Sequence, residues 1–223
     1  MGKLIVLEGI DGSGKSTQFR NLCGFFKDRE IDFRPLSFPQ YGKPSAALLE
    51  MYLKGAFGGE AGDVNAYAAS TFFAVDRLAS FLQDWRPYYE AGGLLVTDRY
   101  TTSNAIHQGA KLPEAQREAF FNWLYDFEFR LLELPRPDLV IYLDLPAPEA
   151  LRRIASRREK GGAGGADIHE RDAAYLESCA RCGVMAAEYY GWRRVPCLDG
   201  ENPRPEGAVF EEILSILKES ELL

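Results

Sequence analysis

A glycine-rich run near the start of the chain constrains the fold more than any other feature. Residues 9–17 read Gly-Ile-Asp-Gly-Ser-Gly-Lys-Ser-Thr, which fits the pattern G-x-x-x-x-G-K-[ST]. The run follows the apolar stretch Leu4–Glu8 and precedes an amphipathic segment that begins at Lys15. A strand, a loop with inward-turned N–H groups and a helix N-terminus together cradle phosphates. The run therefore predicts an α/β protein that binds a nucleoside triphosphate.

Apolar runs of strand length alternate with longer amphipathic segments along the rest of the chain. This alternation is typical of a parallel sheet covered by helices on both faces. The predicted strands are Leu4–Glu8, Phe33–Phe38, Leu94–Thr97, Leu139–Leu143 and Arg194–Leu198. The predicted helices are Lys15–Arg29, Ala66–Tyr88 with its end at Arg86-Pro87, a segment from Pro113 to about Glu133, Ala147–Arg158 and Pro205–Lys218. Because no Pro- or Ser-rich linker interrupts this pattern, we expect a single domain over residues 1–223.

Residues 160–166 read Lys-Gly-Gly-Ala-Gly-Gly-Ala, which is too rich in glycine for the interior of a helix. The run follows a basic helix end, Arg152–Arg158. Two interpretations fit these residues: a mobile lid over phosphates, at about residues 157–170, or a plain surface linker.

The charge balance and the cysteines exclude several classes of protein. The net charge is -7, so a nucleic acid polymer is a disfavoured partner, whereas a small anion needs only a local basic pocket. No apolar run has the length of a membrane span or of a signal peptide, and we expect a cytoplasmic enzyme. Cys179 and Cys182 form a C-x-x-C pair without a second pair, which favours two thiols on a buried helix face over zinc or redox chemistry.

Polar residues with phosphate and metal chemistry accompany the glycine-rich run. Lys15 is expected to contact the β- and γ-phosphates, and Ser16 to supply a hydroxyl to Mg²⁺. Asp98 and Arg99 follow a predicted strand, where the ligand crevice of a doubly wound sheet opens. Asp98 is positioned to hold the Mg²⁺ hydration shell, and Arg99 to bridge the donor and acceptor phosphates.

Phe73 and Arg77 lie four residues apart in a predicted helix, so both are on one face. A ring and a guanidinium one turn apart can stack a base and grip its phosphate. The spacing alone equally allows a core phenylalanine beside a solvated arginine.

Together these motifs resemble the thymidylate kinase family. The resemblance rests on Leu7-Glu8-Gly9-Ile10-Asp11-Gly12-Ser13-Gly14-Lys15-Ser16-Thr17, on Asp98-Arg99-Tyr100-x-x-Ser103 continued by Gln108-Gly109, and on Phe73-x-x-x-Arg77. It extends to Phe38-Pro39, to residues 137–144, and to Asp167-Ile168-His169-Glu170 with Tyr175-Leu176. It implies a three-layer P-loop kinase fold with a five-stranded parallel sheet flanked by helices and a mobile lid rich in glycine and arginine. It also implies transfer of the ATP γ-phosphoryl group to dTMP, with Mg²⁺, by a homodimer.

The resemblance implies a role for each matching residue. Asp11 would approach the sugar 3′-hydroxyl, Phe73 would stack on thymine, and Arg77 and Arg99 would bind the dTMP phosphate. The residues implied for ATP are Gly9, Asp11, Gly12, Ser13, Gly14, Lys15, Ser16, Thr17 and Arg153. Those implied for dTMP are Asp11, Phe38, Pro39, Phe73, Arg77, Arg99, Ser103, Asn104, His107 and Gln108. The metal would be held by Ser16 and Asp98, and catalysis carried by Lys15, Asp98, Arg99, Arg157 and Arg158.

Two positions depart from the family pattern. Many relatives place an arginine shortly after Phe38-Pro39, where this chain has Gln40-Tyr41-Gly42. His107 stands where relatives often have Tyr or Phe, which would help exclude a ribose 2′-hydroxyl. Strict preference for dTMP and deoxyribose is therefore left open. The alternatives are a kinase for another monophosphate or for a deoxynucleoside, and a nucleotide-binding regulatory module without turnover.

Overall fold

The computed structural model describes residues 1–159 and 173–223, apart from the side chain of Arg158. In these residues five parallel strands form one sheet in the order β2-β3-β1-β4-β5. The strands are β1 (Lys3–Glu8), β2 (Arg34–Ser37), β3 (Leu94–Asp98), β4 (Leu139–Asp144) and β5 (Arg193–Pro196). The predicted five-stranded parallel sheet flanked by helices is confirmed. A short antiparallel pair, β6 (Leu198–Asp199) and β7 (Asn202–Pro203), follows β5.

Helices cover both faces of the sheet. They are α1 (Lys15–Asp28), α2 (Ala47–Leu53), α3 (Ala66–Ser80), α4 (Arg86–Glu90), α5 (Thr101–His107), α6 (Glu114–Tyr125), α7 (Ala147–Glu159), α8 (Ala173–Tyr190) and α9 (Glu206–Glu219). Short 3₁₀ turns lie at Pro44–Ala46 and Gly109–Lys111, and π-helical turns at Phe81–Trp85 and Asp126–Leu131. None of the helices in the described ranges is long and apolar enough to cross a membrane.

The apolar runs of the central strands are buried because each strand has helices on both sides. Alternate residues of β1 contribute to two separate clusters: Ile5 and Leu7 to one face, Leu4 and Val6 to the other. All four side chains are fully buried. The sheet core therefore accounts for the continuous apolar stretch that precedes the glycine-rich run.

Element boundaries differ from the sequence prediction where proline is involved. The helix predicted to end at Arg86-Pro87 continues to Glu90, because a π-helical turn precedes Pro87 and the proline occupies the first turn of α4. A missing N–H is tolerated there. The predicted strand Arg194–Leu198 is divided, since β5 ends at Pro196 and Leu198 pairs with Pro203 instead.

Tertiary packing accounts for two helices that the sequence pattern did not predict, α2 and α5. Both are seven residues long, too short to show a clear periodicity. In α5 most of the polar side chains are buried, because they face the site rather than solvent. The thiols of Cys179 and Cys182 lie buried on α8, as expected. Most of the predicted lid, at about residues 157–170, lies outside the described residues, which omit 160–172.

Candidate active site

The loop after β1 wraps tightly because its glycines allow close approach of the backbone. Gly9 has φ of +151°, and an added Cβ would lie 2.9 Å from the Leu143 carbonyl oxygen. Gly12 has φ of +83°, and its Cβ would lie 2.7 Å from the Ala150 carbonyl oxygen. Larger residues at either position would push β4 or α7 away from the loop. The loop therefore packs directly against the backbone of β4 and α7.

Lys15 is held inside this loop. Its Nζ donates hydrogen bonds to the carbonyl oxygens of Gly9 at 2.6 Å and Ile10 at 2.9 Å. Burial, reinforced by the Arg99 cation, lowers the pKa of Lys15. The Ser13 Oγ is buried in the same loop without a hydrogen-bond partner among the described residues. The loop therefore presents an ammonium group and a hydroxyl where phosphate oxygens would complete the hydrogen bonding.

Ser16 and Asp98 converge from the ends of the loop and of β3. The Ser16 Oγ lies 3.4 Å from Asp98 Oδ2, and Asp98 Oδ1 is buried with no hydrogen-bond partner in the described ranges. An orphaned carboxylate oxygen beside a hydroxyl is the donor set that Mg²⁺ accepts when it is also bound by substrate phosphates. Residues 1–159 and 173–223 contain no cluster of three or more His, Cys, Asp or Glu side chains that could hold a metal without a substrate. The residues present fit Mg²⁺ carried with a triphosphate.

Arg99 has a strained backbone that directs its side chain into the site. Its φ is +68°, in the left-handed region that a residue with a Cβ rarely adopts. Two hydrogen bonds hold this conformation: Arg99 N–H to the Leu7 carbonyl at 3.2 Å, and Thr97 Oγ1 to the Arg99 carbonyl at 2.8 Å. The guanidinium then pairs with the Asp11 carboxylate. Burial by itself would lower the pKa of Arg99. The negative charges of Asp11, Glu8 and Asp98 outweigh this effect, so the pKa of Arg99 is raised.

Two cavities meet at this ion pair. The first, of about 170 Å³, is called here the acceptor cavity, and it is lined by Asp11, Phe38, Pro39, Tyr41, Leu53, Phe73, Arg77, Arg99, Tyr100, Ser103, Asn104, His107 and Gln108. The second, of about 290 Å³, is the donor cavity, lined by Asp11, Gly12, Gly14, Lys15, Ser16, Thr17, Asp98, Arg99, Arg153, Ile154 and Arg157. Asp11 and Arg99 belong to both. The geometry suits two phosphorylated ligands whose phosphates face each other across Arg99.

The comparisons with known proteins agree with this geometry. A family model described as thymidylate kinase matches residues 7–192. The chain belongs to the thymidylate kinase family. It is 34% identical over 193 residues to a thymidylate kinase of Mycobacterium tuberculosis, covering 85% of this chain and 87% of that one. A thymidylate kinase of Akkermansia muciniphila is 31% identical over 201 residues, covering 86% and 81% of the two chains.

A solved structure of thymidylate kinase from Candida albicans shares the fold. Its TM-score against this chain is 0.72, over 99% of this chain and 92% of the other, at 22% sequence identity. The fold of the chain is therefore the one expected from its family. The alternatives considered from the sequence, a kinase for a different acceptor and a regulatory module without turnover, are not favoured by the relatives.

The structure places the residues assigned from the thymidylate kinase resemblance in two groups. The acceptor cavity brings together every residue assigned to dTMP. The donor cavity contains most of those assigned to ATP, while Gly9 and Ser13 shape the loop behind its wall. Arg153 and Arg157 reach the donor cavity from α7. The side chain of Arg158, the other arginine assigned to catalysis, lies outside the described residues.

Arg77 is buried, so the sequence interpretation that made it a solvated arginine is wrong. It is 2% exposed, and its Nε and Nη2 donate to the Glu128 carboxylate at 2.8 and 2.5 Å. Glu128, on the π-helical turn after α6, also accepts from Thr101 Oγ1 at 2.7 Å and Asn104 Nδ2 at 3.1 Å. This buried network fixes the wall of the acceptor cavity.

Sequence reasoning missed several residues that shape the site. Tyr41, Leu53 and Tyr100 line the acceptor cavity without having been assigned a role. The Asp76 carboxylate accepts from Gln40 N–H at 2.8 Å and Ser45 Oγ at 2.7 Å, which holds the loop after β2 against α3. Asp76 stands inside the Phe73–Arg77 motif, so its proximity to that motif was the available signal.

Glu8 also shapes the site, although no role was assigned to it from the sequence. It is fully buried, and its carboxylate accepts from the hydroxyls of Thr102 and Ser103 at 2.7 Å each and from Gly9 N–H at 3.0 Å. Glu8 therefore ties residues 9–14, the loop after β1 that is called here the donor loop, to α5, which carries acceptor residues. Its place in the Glu-Gly-x-Asp-Gly start of the loop marked it as unusual, because a charged residue ends an otherwise apolar strand.

Proposed function

We propose that this protein transfers the γ-phosphoryl group of ATP to dTMP, giving ADP and dTDP for dTTP synthesis. This is the reaction of the thymidylate kinase family to which the chain belongs. The observation that carries the proposal is the meeting of the donor and acceptor cavities at Asp11 and Arg99. We further propose that residues 1–223 act as one catalytic domain.

The acceptor cavity offers a nucleobase both stacking and hydrogen-bonding partners. Phe73 packs edge-on against Tyr52, at 6.2 Å between ring centroids and 89° between ring planes, which leaves a ring face for a base. The Gln108 amide oxygen is buried in the cavity wall with no hydrogen-bond partner among the described residues. We assign Phe73 to stacking on thymine, and Gln108, with Ser103 and Asn104, to its edge. Phe38, Pro39 and His107 complete the walls around the deoxyribose.

The two arginines of the acceptor cavity differ in how their charges are balanced. The Arg77 charge is neutralised in a buried bidentate pair with Glu128. Arg99 is more accessible, and its side chain is 22% exposed in its pair with Asp11. We therefore assign Arg99 the larger share of the acceptor phosphate charge, with Arg77 contributing beside it. Asp11 can leave Arg99 for the sugar 3′-hydroxyl when the phosphate binds.

Catalysis rests on positioning and charge stabilisation, since the acceptor is itself a phosphate and needs no strong general base. Lys15 and the amides of the donor loop bind the β- and γ-phosphates, and Arg99 lies where the transferring group passes between the cavities. Arg153 and Arg157 approach the same phosphates from α7. Arg157 or Arg158 is the proposed catalytic arginine of the lid. Ser16 and Asp98 would hold Mg²⁺ together with ATP, and the ion would neutralise further charge on the phosphate oxygens.

The direct test is ADP release, measured with ATP and Mg²⁺ against dTMP, dUMP, UMP, dCMP, dGMP and thymidine. The strongest response is expected with dTMP, because the chain belongs to the thymidylate kinase family. A response to thymidine alone, or to none of the six compounds, would overturn the proposal. Phe73→Leu should raise KM for dTMP at least about fivefold, since base stacking on aromatic rings contributes about 1–3 kcal/mol. Phe25→Leu serves as the control, because Phe25 lines neither cavity.

We also propose a homodimer. Tyr67, Val75 and Leu82 lie along one stripe of α3 and the turn after it, and are 40%, 51% and 52% exposed. Such a stripe on a helix is typical of an interface between subunits. Sedimentation velocity should give a dimer for the unaltered chain and a monomer for Val75→Glu/Leu82→Glu. If the unaltered chain sediments as a monomer at micromolar concentration, the proposed homodimer is contradicted.

A cytoplasmic location is proposed on chemical grounds. All four cysteines are free, and the compartment that supplies ATP also keeps thiols reduced. Fractionation of cells that express the chain tests this, and recovery in an extracellular fraction would argue against it.

A further inference from the structure

His107 lies between two very different neighbours at the base of the acceptor cavity. It is the last residue of α5 and is 6% exposed. Its Nε2 lies 3.0 Å from Arg99 Nη1, and its Nδ1 lies 3.6 Å from the Cys179 Sγ of α8. The ring thus spans from the central arginine of the site to a buried thiol.

The chemistry of these neighbours determines where the imidazole carries its proton. A guanidinium only donates hydrogen bonds, so Nε2 must present a lone pair to Arg99. The neutral ring then carries its hydrogen on Nδ1, which faces the Cys179 sulfur. Burial raises the pKa of the Cys179 thiol, so the sulfur stays protonated and acts as a weak neutral acceptor. One tautomer alone satisfies both contacts.

We propose that His107, held as the neutral Nδ1–H tautomer by Cys179, is the positioning residue that aims the Arg99 guanidinium at the acceptor phosphate. The inference rests on the proposed function, since it takes Arg99 to bind that phosphate. Asp11 and His107 hold two corners of the guanidinium. When Asp11 turns to the substrate sugar, His107 remains to keep Arg99 in place. A neutral acceptor does this without cancelling the charge that the phosphate needs.

Acceptor binding then depends on the protonation of His107. Among the described residues, the Arg99 guanidinium and the Cys179 thiol contact the ring, and the Tyr175 hydroxyl of α8 donates to the His107 carbonyl at 2.5 Å. Protonation would remove the Nε2 lone pair and place a second cation against Arg99. A protonated ring would therefore release the guanidinium and weaken the binding of dTMP, so the neutral tautomer is the form that positions Arg99.

The test compares His107→Gln with His107→Leu. A glutamine can place its amide oxygen near the Nε2 position and does not titrate, whereas leucine fills the space without an acceptor. At pH 8 we expect KM for dTMP to change less than about threefold in His107→Gln and to rise at least about tenfold in His107→Leu.

The thiol is tested separately. Cys179→Ala removes the partner of Nδ1 and should raise KM for dTMP about threefold, while Cys179→Ser, which retains an acceptor, should restore it. Cys182→Ala is the matched control, since Cys182 is equally buried on the same helix and its sulfur contacts the Ala105 carbonyl instead. Thermal unfolding of all three variants separates a loss of stability from a loss of substrate affinity.

The tautomer can be observed directly by ¹⁵N NMR of the histidine rings. The chain has two histidines, so a His169→Gln variant assigns the signals of His107. The Nδ1–H form is expected at pH 8. An Nε2–H form, or equal KM values for His107→Gln and His107→Leu, would overturn the proposal. Failure of the proposed function would show differently, as absent turnover of dTMP by the unaltered protein with the Nδ1–H tautomer intact.

Discussion

The Arg99 guanidinium pairs with the Asp11 carboxylate at the boundary between the donor and acceptor cavities. One residue comes from the loop after β1 and the other from the turn after β3, and these strands are neighbours in the sheet. Their carboxyl ends meet at the switch point of a doubly wound sheet, where ligands bind. The pair marks the path along which the phosphoryl group would pass.

Lys15→Ala should lower kcat about 10²- to 10³-fold, because a charge directed at the transferring phosphate is lost. The fold should persist, since the Lys15 contacts are with carbonyls of its own loop. Coupled ADP release and far-UV circular dichroism measure the two effects. Lys27→Ala, at the exposed end of the same helix, is the control. Near-normal turnover of Lys15→Ala would contradict its assignment.

Asp98→Asn should raise the Mg²⁺ concentration for half-maximal activity by about 10- to 100-fold. The substitution keeps the shape of the side chain but removes the charge of a carboxylate whose buried Oδ1 has no partner among the described residues. A Mg²⁺ titration at constant ATP measures the shift, and Asp28→Asn at the end of α1 is the control. An unchanged Mg²⁺ dependence would place the metal elsewhere.

Glu128→Gln should reduce the free energy of unfolding by about 3 kcal/mol, because it leaves the buried Arg77 cation without its partner. The double variant Arg77→Met/Glu128→Leu should lose less stability, since neither charge remains, yet should bind dTMP poorly. Urea unfolding measures the free energy of unfolding of the single and the double variant. The exposed pair of Arg130 and Asp126 offers the control, and Asp126→Asn should not change stability measurably. Equal losses for the single and double variants would refute the argument.

Because Lys111 is partly buried, we expect the free energy of unfolding to depend on pH. Burial lowers the pKa of Lys111 to about 7, whereas an unfolded lysine titrates near 10.4. Between these values the unfolded chain binds more protons, so the Lys111 contribution to the free energy of unfolding rises from about pH 7 to about pH 10. Below about pH 7 the cost of burying the cation is present in full.

Urea unfolding at several pH values, compared with Lys111→Met, isolates this slope from the titration of the cysteines. The unaltered protein should gain stability relative to Lys111→Met as the pH rises. Lys54→Met, at an exposed lysine, should follow the unaltered protein. Parallel curves for the unaltered protein and Lys111→Met would show that Lys111 keeps its proton.

The sequence by itself determined the local features of this protein. The glycine-rich loop, the buried strand before it and the helix after it follow from residues that are neighbours in the chain. The pairing of Phe73 with Arg77 on one helix face is equally local. The family resemblance then placed acceptor residues that the structure collects around one cavity.

Tertiary structure alone decided what each charged group faces. Arg77 meets Glu128 across 51 residues, and His107 meets Cys179 across 72. No periodicity in the sequence reports such contacts, because they depend on how helices pack over the sheet. The free energy of a buried charge depends on its partner and its desolvation rather than on its residue type. The sequence therefore identified the chemical groups of the site, and the packing determined which of them are neutralised and which remain available to substrates.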